Sequence, residues 1–291
     1  MKSAPFDYEA PTTAEEAVGV LAEHGDEAKV LAGGQSLIPM LALRLAVFDR
    51  LVDVGRIPEL QGIERRDDAL WIGAATTDAA VERSAEVAAA VPLLARATPL
   101  IGHIQIRNRG TLGGSIAHAD PAAEYPAVAL ALDAEMELQG PSGRRSVPAA
   151  DFFTGVWSTA LAPDDLLVGV TFPVWDGRCG FAVEEMARRH GDFAVAGAAV
   201  AVEIDGADVV QRCAVSLIGL GPTPLRATAA EALVAGVDTG AVDATEVGWA
   251  AAAEAVDAPS DIHGSGSYRR RVAAAVVARA WTRAVEEARR G

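Results

Sequence analysis

Cysteine is almost missing from this chain: Cys179 and Cys213 are the only two in 291 residues. Two thiols cannot make a four-thiolate iron–sulfur site, and their spacing is not that of a zinc knuckle. The pair reads as two reduced, buried thiols, and any metal redox centre the activity needs belongs on another chain. A run of eighteen apolar residues is also missing, so no membrane-spanning helix is expected. The opening MKSAPFDYEAPTTAEE lacks the apolar core of a signal peptide, and the expected location is cytoplasmic. Basic charge is scarce. The formal net charge is −15, and the basic clusters Arg188-Arg189 and Arg269-Arg270-Arg271 are short and neighboured by acids, which argues against a nucleic-acid partner. Neither G-x-G-x-x-G nor G-x-x-x-x-G-K-[ST] occurs, so the Rossmann and P-loop routes to a nucleotide are closed.

What is present is an ordinary globular mixture, 51% hydrophobic and 22% charged, of a length that favours two domains. Thr13-Ala14-Glu15-Glu16 has the capping-box spacing, and apolar Ala17, Val20 and Leu21 follow at helical intervals up to Gly25. Lys29–Ala32, RLVDVG at 50–55 and ALWIGAATT at 69–77 read as strands. Helices are expected from Asp78, from Val87 to about Ala97, and from about Pro121 to Leu132. AEMELQGPSGRRSV reads as two strands about a turn, and DDLLVGVTFPVW as a further strand closed by Pro173. Beyond DGRCG the pattern changes. Asp205-Gly206 sits between two apolar runs, a hairpin signal, and the rest is Ala-rich and helical, with a final helix from Tyr268. The boundary is expected near residue 176.

Among 28 glycines there are two Gly-Gly pairs, Gly33-Gly34 in LAGGQSLIPML and Gly113-Gly114 in RGTLGGSIAHADPAAEYP. A glycine pair allows positive φ and leaves no Cβ between backbone N–H groups and a ligand. Such N–H groups form an anion site, helped by a helix that starts just after. Ser36 and Ser115 can each add a hydroxyl to an anion or cap the next helix. Either pair alone reads equally well as a tight turn. Two facing loops suit a pyrophosphate, and on this argument the ligand is any pyrophosphate compound.

Five ordered segments, LAGGQSLIPMLALRLA, IRNRGTLGGSIAHADPAAEYPAVALALDA, FFTGVWSTALAPDDLL, EEMARRHGDFAVAGAAVAV and SDIHGSGSYRRRV, resemble the motifs of the FAD-binding medium subunit of the molybdenum hydroxylases, above all the carbon monoxide dehydrogenase group. The resemblance spans nearly the whole chain. It implies an α+β fold: a two-lobed FAD-binding domain of the vanillyl-alcohol-oxidase type (PCMH type) over residues 1–176, then a C-terminal domain of antiparallel sheet plus helices over 177–291. It further implies that Lys29, Val30, Leu31, Ala32, Gly33, Gly34, Gln35 and Ser36 wrap the FAD pyrophosphate together with Thr111, Gly113, Gly114 and Ser115. Ile101 and Leu167 match apolar positions packed on the flavin or adenine. Asp120 and Glu124 match acidic positions able to accept ribose hydroxyl hydrogen bonds. Phe193 matches a position beside the isoalloxazine that is often Tyr in relatives, and its missing hydroxyl removes any hydrogen bond a Tyr would make. Glu184 and Glu185 stand where many relatives carry a Lys shortly before the Arg pair.

The role the resemblance implies is electron relay. A large partner subunit oxidises substrate at a molybdenum–pterin centre, a small partner carries two [2Fe–2S] clusters, and FAD on this chain collects the electrons for an external acceptor, in a dimer of heterotrimers. The protein's task is then to orient and tune the ring, so no general acid or base is assigned. His118 and Asp120 offer two metal ligands without a third, a poor site, and Asp261, His263 and Tyr268 read as capping or subunit contacts. Trp157, Trp175, Trp249 and Trp281 read as core or interface residues. Two rival classes remain: a free-standing FAD oxidoreductase acting on a small organic substrate, and a non-enzymatic nucleotide-binding partner. Substrate and acceptor are not chosen by these residues.

Overall fold

The structure is a computed structural model that describes residues 2–291. Its first lobe contains β1 (Asp7–Glu9), α1 (Ala14–His24), β2 (Ala28–Leu31), α2 (Leu37–Ala42) and β3 (Arg50–Asp53). The three strands form an all-parallel sheet in the order β1-β3-β2, with Lys29 opposite Leu51 and Leu31 opposite Asp53. The hydroxyl of Thr13 accepts the Glu16 N–H at 3.1 Å. Glu16 in turn reaches one residue further upstream than the usual box, accepting from the Thr12 N–H at 2.7 Å and the Thr12 hydroxyl at 2.9 Å. Both arrangements satisfy orphan donors at the helix start. The inner face of α1, Ala14, Ala17, Val18 and Leu21, packs on Val52, Val54 and Ile57, and on Leu166 and Val168 from far along the chain.

The second lobe runs through β4 (Ile63–Arg66), β5 (Ala69–Gly73), α3 (Asp78–Arg83), α4 (Ala85–Ala90), α5 (Pro92–Ala97), α6 (Ile104–Arg107), α7 (Leu112–His118), α8 (Glu124–Ala131), β6 (Glu135–Gly140), β7 (Gly143–Pro148), α9 (Ala149–Phe152), β8 (Phe153–Gly155), β9 (Ser158–Thr159) and β10 (Leu166–Pro173). Five strands make an antiparallel sheet, β4-β5-β10-β6-β7, and β8 pairs with β9 apart from it. The single helix expected over 87–97 is instead two. Pro92 opens α5 and Val91 before it leaves helical geometry (φ −134°), because proline has no N–H to give and its ring clashes with a continuing helix. Helix α8 starts at Glu124, three residues later than expected, since Asp120 accepts from the Ala122 N–H at 2.9 Å and holds 120–123 in a turn. Central strand β10 serves two cores: Leu166 and Val168 face the first lobe, and Leu167, Val170 and Phe172 face the second. A bulge between Leu167 and Gly169 adjusts the alternation.

The remaining chain forms β11 (Arg178–Met186), β12 (Ala196–Ile204), β13 (Val210–Ile218), β14 (Leu225–Arg226), α10 (Thr228–Val234), α11 (Ala244–Glu254) and α12 (Gly266–Arg290). The strands pair in sequence order as an antiparallel sheet, and Asp205-Gly206 makes the turn foreseen, its carboxylate accepting from the N–H groups of Ala207 and Val209. Strand β12 is apolar at nearly every position because both of its faces are covered: Ala198, Val200 and Val202 share a core with α11 and α12, while Ala199 and Ala201 join the core of the second lobe. Gly180 lets α12 lie against β11, since a Cβ there would come within 2.7 Å of the Ala284 carbonyl carbon. Arg96 of α5 forms a bidentate pair with Glu287 of α12, whose carboxylate also accepts the Phe181 N–H at 2.9 Å. Among the described residues no helix is long and apolar enough to cross a membrane.

Candidate functional site

The two Gly-Gly loops meet. A Cβ on Gly33 would overlap the Arg109 carbonyl oxygen and stand 2.7 Å from the Gly110 Cα. A Cβ on Gly114 would lie 3.5 Å from that of Ala32. The first loop leaves β2 at the sheet edge and turns at Gly34, where φ is +73°, an arrangement that favours glycine. From Ala32 to Leu37 none of the backbone N–H groups has a partner among the described residues; the first to bond is Ile38, to the Gly34 carbonyl at 3.1 Å. The Gln35 side chain folds back to the Gly33 carbonyl at 3.1 Å, and the Ser36 hydroxyl, although at the N-cap position of α2, makes no capping bond. Six adjacent unpaired donors, on a half-buried loop, form a site for an anion with several oxygens.

The second loop is different. Leu112 N–H donates to the Thr76 carbonyl at 3.0 Å, Gly113 to Ala74 at 2.9 Å and Ser115 to Thr111 at 3.0 Å. Thr111 Oγ1 accepts from Gly114 at 3.0 Å and so caps α7. Gly113 is needed for packing on the end of β5, where a Cβ would stand 2.6 Å from Ala74 Cα. Gly110 is needed because the Asp78 carboxylate fills the space beside it. What this loop presents to the shared cleft is therefore a rigid wall, the Ser115 hydroxyl and the adjacent Arg109.

Two cations adjoin this junction, on a chain whose net charge is −15: Lys29 on β2 and Arg109, the residue whose carbonyl meets Gly33, make no ion pair or side-chain hydrogen bond among the described residues. Lys29 lies over the Phe48 ring and is close enough to His118 to help burial lower that imidazole's pKa. Ile101 is half-buried against the second-lobe core, in a segment clamped by Arg107, which donates to the carbonyls of Ile101 at 3.1 Å and Gly102 at 3.3 Å while pairing with Glu82 at 2.8 Å. Leu167 is buried in β10.

Phe193, 61% exposed, stands in a cavity of about 760 Å3 between the second lobe and the C-terminal domain, shared with Asp120, Trp157, Arg188, His263 and Arg269. Asp120 is already engaged: it accepts from the Ala122 N–H and, at 3.2 Å, from the indole N–H of Trp157. Trp157 is held at φ +54°, a backbone state rare for a bulky side chain, and stacks on His118 with ring centroids 6.1 Å apart. Of the four tryptophans read as core or interface residues, Trp175 and Trp281 are core, while Trp157 and Trp249 are 56% and 52% exposed. Nothing in GVWS signals that Trp157 faces this cleft, because its place depends on the Asp120 contact. His103 was equally silent in the sequence, yet its ring packs so closely on Gly191 (φ +82°) that a Cβ there would be 2.6 Å from Cε1.

Glu124 is buried without a hydrogen bond from another side chain, and burial, with the Glu185 carboxyl adding to it, pushes its pKa up to about 8. Burial likewise raises Glu185 to about 7 and leaves its Oε2 without a partner. Asp78 under the second loop is raised to about 7 by burial, against the pull of Arg107. The two thiols are free but half-buried rather than buried, and burial raises Cys179 to about 11, which keeps it an inert thiol at neutral pH. No group of three or more His, Cys, Asp or Glu able to hold a metal occurs among the described residues.

The unpaired N–H run and the contact that closes it suit an anion with several oxygens, the chemistry of a dinucleotide pyrophosphate. Residues 4–175 match the model of the FAD binding domain in molybdopterin dehydrogenase, and residues 181–284 that of the CO dehydrogenase flavoprotein C-terminal domain. The chain belongs to this family of FAD-dependent oxidoreductase subunits. It is 38% identical over 289 residues to the 6-hydroxypseudooxynicotine dehydrogenase complex subunit alpha of Paenarthrobacter nicotinovorans, covering 99% of this chain and 97% of that one. It is 38% identical over 275 residues to the carbon monoxide dehydrogenase medium chain of Hydrogenophaga pseudoflava, covering 94% and 95%. Its fold superposes on the structure of carbon monoxide dehydrogenase from Hydrogenophaga pseudoflava, in a form lacking the Mo-pyranopterin moiety of the molybdenum cofactor, with a TM-score of 0.94, 40% identity and 99% of both chains covered.

Proposed function

We propose that this chain is the electron relay of a three-chain molybdenum hydroxylase. A large partner holds the molybdenum–pterin centre, a small partner carries [2Fe–2S] clusters, and FAD on this chain passes the electrons to an external acceptor. In this reading residues 1–176 form the flavin domain and 177–291 the C-terminal domain, and the assembly is a dimer of heterotrimers. Bound FAD supplies the ability to accept electrons singly and release them as a pair. The chain's own residues bind and orient. Lys29–Leu31 bring the strand to the cleft, and the N–H groups of Ala32, Gly33, Gly34, Gln35 and Ser36 hold the pyrophosphate. Thr111, Gly113 and Gly114 brace the opposite wall, and Ser115 adds a hydroxyl. Ile101 and Leu167 give apolar contact, Asp120 and Glu124 line the ribose side, and Phe193 covers the ring. Asp120 does this through Trp157, which it holds in place. The observation that carries the reading is the run of free N–H groups on the first loop, closed by Gly33 against Arg109.

Molybdenum and iron per flavin, measured on protein affinity-purified from its native host, test it. About one molybdenum and four irons per FAD, the ratio that one molybdenum centre and two [2Fe–2S] clusters require, with two co-purifying chains, is the expected result. Flavin with neither metal would make the chain a free-standing flavoenzyme instead.

A further inference from the structure

The motif SDIHGSGSYRRRV, residues 260–272, supplies nothing to the cradle, yet it buries a charge. Ser265 caps α12 by accepting the Tyr268 N–H at 3.2 Å. Gly266 lies so close on the Ala258 backbone that a Cβ would stand 3.3 Å from its carbonyl carbon. These contacts fix the rotation of the first turn, and Arg269 falls on the buried face of α12 with Ala273, Val276, Val277 and Ala280. A buried guanidinium must find acceptors. Nη1 of Arg269 donates to the Val195 carbonyl at 2.6 Å and the Gly219 carbonyl at 3.4 Å, and Nη2 to the Asp261 carboxylate at 2.7 Å. Each acceptor belongs to a different wall of the cavity in which Phe193 stands. Val195 follows Phe193 by two residues, and its N–H is fixed on the Met186 carbonyl at 2.8 Å. Gly219, at φ +74° after β13, donates its own N–H at 2.8 Å to the Pro121 carbonyl, on the turn whose Asp120 holds Trp157. Asp261 accepts from the N–H of His263, on the third wall, at 2.8 Å.

We propose that Arg269 is the positioning residue for the ring end of the flavin site: its guanidinium sets the spacing of the walls that carry Phe193, Trp157 and His263. The inference rests on the flavin reading above and adds to it the group that shapes the ring end. Two physical arguments support it. The walls come from segments near residues 121, 195, 219 and 261, which no local pattern holds together, and a rigid planar fork of donors can register three segments at once where a flexible ammonium cannot. A flat aromatic ligand also depends on that spacing, because a gap of about 0.5–1 Å forfeits a quarter to a half of the dispersion attraction of the facing atoms. The two ends of the site are built separately. The N–H run of residues 32–37 belongs to the first lobe, and every side-chain hydrogen bond of Arg269 goes to the C-terminal domain. Arg269 therefore acts on the ring and leaves the pyrophosphate alone.

The test compares FAD with ADP, which has the pyrophosphate and lacks the ring. The protein is purified from its native host through a tag on this chain, freed of flavin, and titrated with each ligand by calorimetry. Wild type is expected to bind FAD more tightly than ADP. Arg269→Lys keeps the charge and loses the fork, and it is expected to weaken FAD about tenfold while ADP affinity stays within about twofold. FAD affinity equal to wild type in this variant overturns the inference. So does a parallel loss of FAD and ADP, the pattern of a purely structural role. So does wild-type FAD binding no tighter than ADP, because the walls would then give the ring nothing. If Arg269→Lys yields no folded protein, Asp261→Asn decides alone, since that side chain is 42% exposed and its loss frees only one wall. FAD is then expected to weaken about threefold with ADP unchanged, and unchanged FAD affinity overturns the inference. Wild-type protein that binds neither ligand would remove the flavin reading itself, an outcome distinct from all of these.

Discussion

The loop after β2 and the first turn of α7 both carry a glycine pair followed closely by serine, and they differ in where their backbone hydrogen bonds go. In the first, six consecutive N–H groups, those of residues 32–37, have no partner among the described residues. In the second, four consecutive N–H groups are bonded to carbonyls of Ala74, Thr76 and Thr111 and to the Thr111 hydroxyl. One loop is a row of donors awaiting an acceptor; the other is a wall, kept flat by glycine so that helix α7 can start against the end of β5. The pyrophosphate site proposed above would use both, because free donors on an unbraced loop would lose in ordering what they gain in contact.

Substitutions separate the two roles. Gly113→Val puts a branched side chain where the Ala74 backbone stands and should cost about 3 kcal/mol or more of stability, seen as a large drop in melting temperature or loss of soluble protein. Gly33→Ala, whose added methyl meets the Arg109 and Gly110 backbone, should cost less stability than Gly113→Val, because a surface loop can shift, and should empty the purified protein of flavin, because the loop can move off Arg109 only by spoiling its row of donors. Equal melting temperatures for Gly113→Val and wild type, or full flavin in Gly33→Ala, would erase the contrast.

Proton binding gives a smaller effect of the same kind. Asp78 beneath the second loop, with Glu124 and Glu185 nearby, has a folded-state pKa of about 7 to 8, above the range of an unfolded carboxylate. The folded state therefore holds these protons more tightly, so their contribution to stability is complete below the unfolded pKa of about 4 and is lost progressively as pH rises from there through the folded values of 7 to 8. The melting temperature should fall between about pH 5 and pH 8, and Asp78→Asn should remove part of that fall, of order 1 kcal/mol; a flat profile in the wild type would count against the buried acids. Smallest is the capping pair. Thr111→Ala should cost about 1 kcal/mol, whereas Ser36→Ala, whose hydroxyl caps nothing, should leave stability unchanged and weaken flavin binding alone.

The glycine pairs, the hairpin at Asp205-Gly206 and the capped helix at Thr13 are legible because each is written within a few consecutive residues. The same short range made the two loops look equivalent. What distinguishes them is the position of the Ala74 and Thr76 carbonyls, nearly forty residues away in the chain, and no local pattern encodes that meeting. The break at Pro92 was local and legible in principle, but the alanine-rich run around it outweighed a single residue. Glu124 could be read as an acid near the ribose; that it lies buried beside Glu185, with its pKa raised, follows only from α8 docking against the C-terminal sheet. Trp157 and His103 owe their places to tertiary contacts, with Asp120 and His118 for the first and with Gly191 and His190 for the second, and have no signal of their own.

Strand β10 has a consequence for biosynthesis. It ends at Pro173, yet it lies between β5 and β6 and supplies Leu166 and Val168 to the core under α1. The ribosome must therefore release residue 173 before either lobe can close, and the first lobe, whose own strands were made long before, waits with the apolar face under α1 open where Leu166 and Val168 will sit. Open apolar faces recruit neighbours, and cores closed by distant contacts form slowly. A nascent chain of this protein needs shelter during that interval, and slowing translation just before β10 would lengthen the exposure.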